Sequence, residues 1–252
     1  MVFDERGQAM YRNAVVRSEP KFYLPLEGSL GNLGELAGTV TNTGNVPLNA
    51  VGPWGNEQGG ATFNSDSQRL VLPSAWAPSG RPATLELFVR ALPKSGTYQN
   101  LVGTNTWGLI LQQLGRAQFA ISFGGAGTPS GLSTWMVAAT GGWRYVAVSA
   151  LSATGTNTYI SVDDNAENAG HPSSTQNNGD FSGDTAFRIG GTYANQFGFL
   201  TGDVCHVAGY HRALPPAELL SHFRAATGVL TPRARPVVIL SIPPLPEGPS
   251  TQ

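Results

Sequence analysis

The chain has 252 residues, of which 40% are hydrophobic and 12% charged, with a net charge of −1 and one cysteine. That balance supplies apolar material for a sizeable core, removes bulk electrostatic attraction to nucleic acid or an anionic membrane surface, and leaves no internal disulfide. The 32 Gly and 18 Pro suit an all-β chain with many turns, because long helices tolerate few of either.

Residues 1–20 mix charge with scattered apolar side chains, Phe3, Met10, Tyr11, Val15 and Val16, before Pro20 closes the segment. They read as an N-terminal arm outside the domain. Met1 to Gln8 carries acidic residues where a signal peptide places basic ones, and no apolar stretch follows, so the product is expected to stay where it is made. No run of about 18 apolar residues occurs, so no membrane-spanning helix is predicted. Residues 28–60 hold turn signals too closely spaced for long strands, and Arg69 to Leu72 is a short strand ended by Pro73. Thr84 to Leu92 is the clearest strand: Leu85, Leu87, Val89 and Ala91 share one face, Thr84, Glu86, Phe88 and Arg90 the other. One of those faces must be core.

Trp107 to Gln112, Arg116 to Phe123 and Leu132 to Ala138 read as a meander of neighbouring antiparallel strands. Strands around Trp143 and Tyr159 follow, and the Asn-, Ser- and Gly-rich residues 165–183 read as a long exposed loop. Val204 to Tyr210 has the apolar content of a mostly buried strand, which makes Cys205 a buried, inert thiol. Pro215 and Pro216 preset a first helical turn, and Leu219, Leu220 and Phe223 recur at helical spacing up to Gly228. Residues 229–252 contain Pro232, Pro236, Pro243, Pro244, Pro246 and Pro249, which excludes a helix and favours an extended course. Within them Val237 to Ile242 is too apolar for a solvated tail and is expected to add a strand to a sheet, its own or a neighbour's.

Leu200, Gly202, Val204, Val207, Tyr210, Arg212, Ala213 and Leu214 carry a pattern that resembles the closing segment of laminin-G-like, concanavalin-A-type domains. Two positions depart from it, Cys205 where the family often has Asp and Gly209 where it has Ile. Phe22 to Gly28 resembles the opening strand, Gly60 to Asn64 the second, Trp143 to Val148 the Trp-x-x-Val-Ala-Val strand, and Tyr159 to Asp163 the hairpin, with Asp164 where Gly is usual. The resemblance spans residues 22 to 228. It implies an all-β, two-sheet antiparallel jelly-roll sandwich over residues 21–228, with one short helix near residues 215–226 and extended arms at 1–20 and 229–252.

Some members of that fold cleave glycans with two carboxylates, commonly presented as Glu-x-Asp-x-x-Glu on one strand, and no such pattern is present. A Gly-x-Ser-x-Gly elbow is also missing. His206, His211 and His222 read as packing and surface histidines rather than metal ligands. Calcium is the family's commonest cofactor, and Asp163, Asn165 and Glu167 alternate as ion-loop ligands do. Gly is missing at the sixth position, however, and Ser174 replaces the closing Glu, so an Asx-rich turn explains the same residues and no cofactor is expected. Asp66 and Asp203 are the remaining calcium candidates.

Sugar binding needs exposed rings on which C–H faces stack. Trp54, Trp76, Trp107 and Tyr193 lie in loop-like sequence and are the candidates, against the competing role of capping the sandwich ends. A lectin-type sandwich without an export signal, poor in surface charge and apolar at both ends, resembles accessory proteins of tailed bacteriophages. The expectation is therefore a non-enzymatic virion structural protein on capsid or tail. It would dock through Phe3, Tyr11 and Val15 at one end and Val237, Ile239 and Ile242 at the other. A homo-oligomer is expected, a trimer being one way to fit a lattice axis. The alternative is a carbohydrate-binding module recognising a cell-surface glycan; a polysaccharide-active enzyme ranks third.

Overall fold

The structure is a computed structural model and describes residues 3, 5–77, 82–92, 98–104, 107–113, 118–125, 135–138, 142–150, 158–163, 187–191 and 198–228. Its helices are α1 (Glu5–Arg17) and α2 (Pro216–Ala226). The strands begin with β1 (Phe22–Leu24), β2 (Thr41–Thr43), β3 (Ala61–Phe63), β4 (Arg69–Val71), β5 (Ala83–Ala91) and β6 (Tyr98–Gly103). There follow β7 (Trp107–Gln113), β8 (Gln118–Gly125), β9 (Trp135–Ala138), β10 (Arg144–Ala150), β11 (Thr158–Val162), β12 (Arg188–Gly190) and β13 (Gly202–Tyr210). A six-stranded sheet runs β1-β13-β5-β10-β11 with β3 also paired to β13, and a seven-stranded sheet runs β2-β4-β12-β6-β7-β8-β9. Every pairing of named strands is antiparallel. The two-sheet sandwich, its β7-β8-β9 meander and the helix after Pro215 agree with the sequence.

Between the sheets lies one core, to which Leu85, Leu87 and Val89 of β5, Val146 and Val148 of β10, Val204 and Val207 of β13, Leu70 of β4, Val102 of β6 and Ile189 of β12 contribute. The alternate residues of the six-stranded sheet are buried too. Phe88, Tyr145, Ala147, Cys205, Ala208 and Tyr210 form a second cluster with Tyr11 and Val15 of α1 and Leu219, Phe223 and Ala226 of α2. Both faces of β5 are therefore core, because the helix pair lies over the outer one.

The N-terminal arm expected from the sequence is corrected here. Residues 5–17 form a helix whose Gly7, Tyr11 and Val15 are buried, and Phe3 packs its ring edge-on against Trp54 and Phe88. Phe3, Gly7, Tyr11 and Val15 recur every fourth residue and make one helical stripe. Glu5 and Arg17 oppose the helix dipole at the appropriate ends. Gly7 permits the close crossing of the helices, since a Cβ there would overlap the Ala226 carbonyl of α2. Phe3, Tyr11 and Val15 are spent on the domain itself. Val237, Ile239 and Ile242 lie outside the described residues.

In β13 the register against β5 shifts between Cys205 and Ala208, and His206 takes φ 52°. Two residues there oppose one, a bulge that keeps His206 on the helix-covered side beside Cys205. Beyond the bulge Gly209 faces Phe22, whose ring would overlap a Cβ at that position. Phe22 is in turn stacked on Trp76, centroids 5.3 Å apart and planes at 8°, so it has little room to yield. Gly209→Ala is expected to lower stability by about 1–3 kcal/mol through overpacking. Denaturant unfolding checks this, and an unchanged midpoint would remove the proposed overlap.

Candidate functional site

The outward face of the seven-stranded sheet follows from its register. Leu70, Ile189 and Val102 are mutual cross-strand neighbours and point into the core. The adjacent row, Thr41, Val71, Arg188, Gly103, Gly108 and Gly124 across β2, β4, β12, β6, β7 and β8, belongs to the opposite face. Three successive strands thus contribute only glycine to that row, a composition that suits close approach of another group to the backbone. The next row on the same face holds Thr43 and Arg69; their neighbour Gly190 has φ 67°, and a Cβ there would meet the core ring of Phe63 instead. Arg69, Val71, Phe187 and Arg188 line a cleft of about 290 Å³ there.

The face beneath the helices holds a different cluster, centred on Glu86. Its carboxylate is fully buried. It accepts hydrogen bonds from Tyr145 Oη and, at 2.5 Å, from Tyr210 Oη, and His222 Nδ1 lies 3.1 Å from Oε2 and 3.2 Å from Oε1. Burial alone would raise the carboxyl's pKa, but the His222 charge and these three donors bring it below the ordinary carboxylate value. Burial likewise pulls His222 down, and the Glu86 and Glu218 carboxylates outweigh it, leaving the imidazole raised. Ser18 Oγ, at the end of α1, sits 2.9 Å from His222 Nε2.

Serine, histidine and glutamate in that order are the components of a nucleophilic triad. Their protons run the wrong way for one. Ser18 Oγ–H donates to Glu218 Oε1 at 2.6 Å, so the charged His222 donates through Nε2 to Ser18 instead of accepting its proton. An activating base needs that nitrogen bare. The arrangement serves as a clasp from β5 through α2 to the end of α1.

A second carboxylate does similar work at the rim. Glu27 accepts from Gln8 at 2.6 Å and pairs with Arg12 at 3.3 Å, both on α1, while His206 Nε2 of the β13 bulge lies 3.0 Å away. The His206 contact is the main cause that holds Glu27 at about 2, against the raising effect of burial. Burial pulls His206 itself down, which fits a neutral ring accepting from Tyr23 Oη at Nδ1, 2.6 Å away.

The structure separates the residues singled out from the sequence. Trp54 is buried, donating from Nε1 to the Ala226 carbonyl at 2.9 Å, and Trp76 is buried with its Nε1 3.1 Å from the Ala37 carbonyl. Neither offers a face for a sugar; both close the ends of the core, as rings in Gly- and Pro-rich loops can. Trp107 opens β7 next to Gly108, its side chain outside the described residues, and Tyr193, Asn165 and Glu167 lie outside them too. Trp143, just before β10, is half-buried with the Arg90 guanidinium 5.3 Å above its ring. Asp163 is held by Arg144 at 2.6 Å and the Tyr145 amide at 3.0 Å. Asp203 is held by Arg90 and Thr62, each at 2.7 Å, and Asp66 sits in an exposed turn beside Ser65. Among the described residues no three His, Cys, Asp or Glu side chains are grouped to hold a metal ion. Cys205 is buried, and burial pushes its thiol well up.

Residues 64–220 match a laminin G family model described as the concanavalin A-like lectin/glucanases superfamily. The chain belongs to that superfamily. Among solved structures, this concanavalin A-like chain superposes on domain 4 of an extracellular arabinanase from Geobacillus stearothermophilus, in complex with arabinotriose. That match has TM-score 0.57 and 16% identity, over 81% of this chain and 98% of the other. A Trypanosoma rangeli sialidase mutant displaying trans-sialidase activity gives TM-score 0.55 at 17% identity, over 90% of this chain and 38% of that one. The receptor-binding domain of botulinum neurotoxin C/D mosaic serotype gives TM-score 0.54 at 10% identity, over 82% and 51%. This chain therefore spans well under two thirds of the sialidase and neurotoxin chains. No curated protein sequence matches it. No helix among the described residues is long and apolar enough to cross a membrane.

The Glu86–His222 clasp has a pH signature. Glu86 titrates below its ordinary 4.5, so its contribution is present above that value and is lost as pH falls through the folded value. His222 titrates above its ordinary 6.5, so its contribution is complete below that value and is lost as pH rises through the folded one. Thermal unfolding should show stability from this pair greatest between about pH 4.5 and 6.5. His222→Ala, which leaves a buried carboxylate without its cation, should cost about 3–5 kcal/mol at pH 6 and flatten the alkaline decline. An equal alkaline slope in the variant would assign that decline to other groups.

Proposed function

We propose that the chain is a non-enzymatic, lectin-like domain that holds saccharide against the outward face of its seven-stranded sheet. The observation that carries this reading is the asymmetry of the two sheets. Helices α1 and α2 cover the outer face of one, whereas the other keeps the Arg69, Val71, Phe187 and Arg188 cleft beside its glycine row. Glycan ligands among the structural neighbours support it: the arabinanase domain was solved with arabinotriose, and cell entry of botulinum neurotoxin type C depends on two ganglioside molecules. Glycoside cleavage calls for two carboxyls across one bond. The buried Glu86, Asp163 and Asp203 are instead engaged with tyrosine, histidine, arginine or threonine, which favours binding over hydrolysis.

A second reading places this lectin-like domain in a bacteriophage virion, on capsid or tail, as a homo-oligomer. Packing of α1 onto the sandwich withdraws the N-terminal docking arm from it. Its support is the Pro-rich sequence 229–252 with the apolar run Val237 to Ile242. Under that reading the saccharide site is the displayed activity and the C-terminal segment the attachment.

Glycan-array binding of the full chain tests the first reading. Saturable retention of at least one glycan class is expected. Retention of no glycan by a folded chain would overturn it. Cosedimentation with phage capsids and tails, with and without residues 229–252, tests the second, which expects binding that is lost on trimming.

A further inference from the structure

The turn that joins α1 to β1 is short and strained. Ser18 and Glu19 close the helix, their amides donating to the Val15 carbonyl at 3.0 Å and the Val16 carbonyl at 3.1 Å, and the Lys21 amide already donates to the Gly209 carbonyl at 2.8 Å. The whole reversal therefore falls on Ser18, Glu19 and Pro20. Within it Glu19 has φ 53°, the left-handed conformation that glycine ordinarily takes just beyond a helix end and that is costly for a residue with a Cβ. Pro20 follows, and a proline pushes the residue before it towards extended backbone. Both preferences are met when Glu19 opens to an extended conformation and α1 swings away from its own sheet.

The seat that α1 would leave is specific. Tyr11 packs edge-on against Phe88 with ring centroids 5.1 Å apart, and a Cβ at Gly7 would overlap the Ala226 carbonyl. Ser18, at the helix end, donates to Glu218 at 2.6 Å, and its carbonyl accepts from Arg212 at 3.0 Å. An α1 from a second copy of the chain makes every one of these contacts equally well. The step from Ser18 to Lys21 spans about 10 Å when extended, so a copy that lends its helix must lie against the hinge. That surface is apolar: Val16 and Leu33 are each 47% exposed, two of the four large hydrophobic side chains that stand exposed among the described residues. With Pro20 they border one hollow.

We propose that two copies of the chain exchange α1, each helix crossing to the other copy's sheet, with Glu19 extended at the hinge and Val16 and Leu33 buried where the copies meet. A short hinge under strain favours such an exchange, and reciprocal exchange between two copies closes the assembly with no seat left empty. The contacts of α1 are the same in both forms, so the balance between them is set by what differs. Two opened hinges and the new apolar contact favour the dimer, and translational and rotational freedom favours the monomer. The inference is independent of saccharide binding.

The test equilibrates the full chain over a range of concentrations in mild denaturant, returns it to buffer and measures its mass by size-exclusion chromatography with light scattering. A dimer whose share rises with concentration is expected. Exchange is told from side-by-side association in dimers that combine one chain labelled in its tyrosines with another labelled in its phenylalanines, where a nuclear Overhauser contact between Tyr11 of one chain and Phe88 of the other is expected. Glu19→Gly, which takes the left-handed turn without strain, should weaken the dimer about tenfold or more, since both hinges are affected. Leu33→Glu, at an exposed position, should also weaken it and leave the thermal midpoint of the monomer unchanged. A chain that stays monomeric at every concentration overturns the proposal. A dimer without the interchain Tyr11 to Phe88 contact, or one that neither substitution weakens, overturns it equally.

Discussion

The buried carboxylate of Glu86 is the interaction on which the arrangement of this domain depends. An ionised group without solvent is tolerated only when donors surround it, and here they come from three other elements: Tyr145 on β10, Tyr210 on β13 and His222 on α2. His222 passes the connection to Ser18, and Ser18 passes it to Glu218, which Arg212 pairs at 3.0 Å. Each donor must be in place before burial of the charge becomes tolerable. The cluster therefore selects one seating of the helix pair on the sheet, where apolar packing alone would accept several.

That seating decides which surfaces remain for function. A two-sheet sandwich has two outer faces, and this one spends the first on a helix layer with its own aromatic cluster of Tyr11, Trp54, Phe88 and Tyr145. Glu27 repeats the logic at the rim by joining Gln8 and Arg12 of α1 to the His206 bulge. The remaining face carries Arg69, Arg188 and the glycine row. The helix layer occupies one sheet, and the proposed saccharide site lies on the other.

The sandwich was legible in the sequence because its evidence is local and repeated: alternation in β5, the meander, and the closing strand that runs into Pro215 and Pro216. The helix layer was legible only in part. Phe3, Gly7, Tyr11 and Val15 do recur every fourth residue, but Gly7 in that stripe hides the period from any reading that counts apolar side chains. Its role appears only when the Ala226 carbonyl lies against it. No spacing in the sequence joins Glu86 to its partners, which are 59, 124 and 136 residues away. Trp54 and Trp76 lie in loop-like sequence and are nonetheless buried, because a loop crossing the open end of a sandwich is as close to the core as a strand. The cleft depends on the pairing of β4 with β12, whose residues are more than a hundred positions apart, so no spacing in the sequence could join Arg69 to Arg188.

Of the two departures of β13 from its family pattern, the one at Cys205 follows from the same layer and the one at Gly209 from the core between the sheets. Where related domains often carry Asp, this chain has Cys205, and here that position faces Trp54, Phe88 and the helices instead of water. A carboxylate there would need its own set of donors, as Glu86 has, whereas a small neutral thiol needs none. Gly209 replaces Ile because Phe22, fixed by its stack on Trp76, already fills the volume of a side chain. Cys205 suits the helix-covered face of the strand, whereas Gly209 answers to packing between the sheets. A covered strand has no surface left for a ligand, and its chemistry is consistent with the site lying on the opposite sheet.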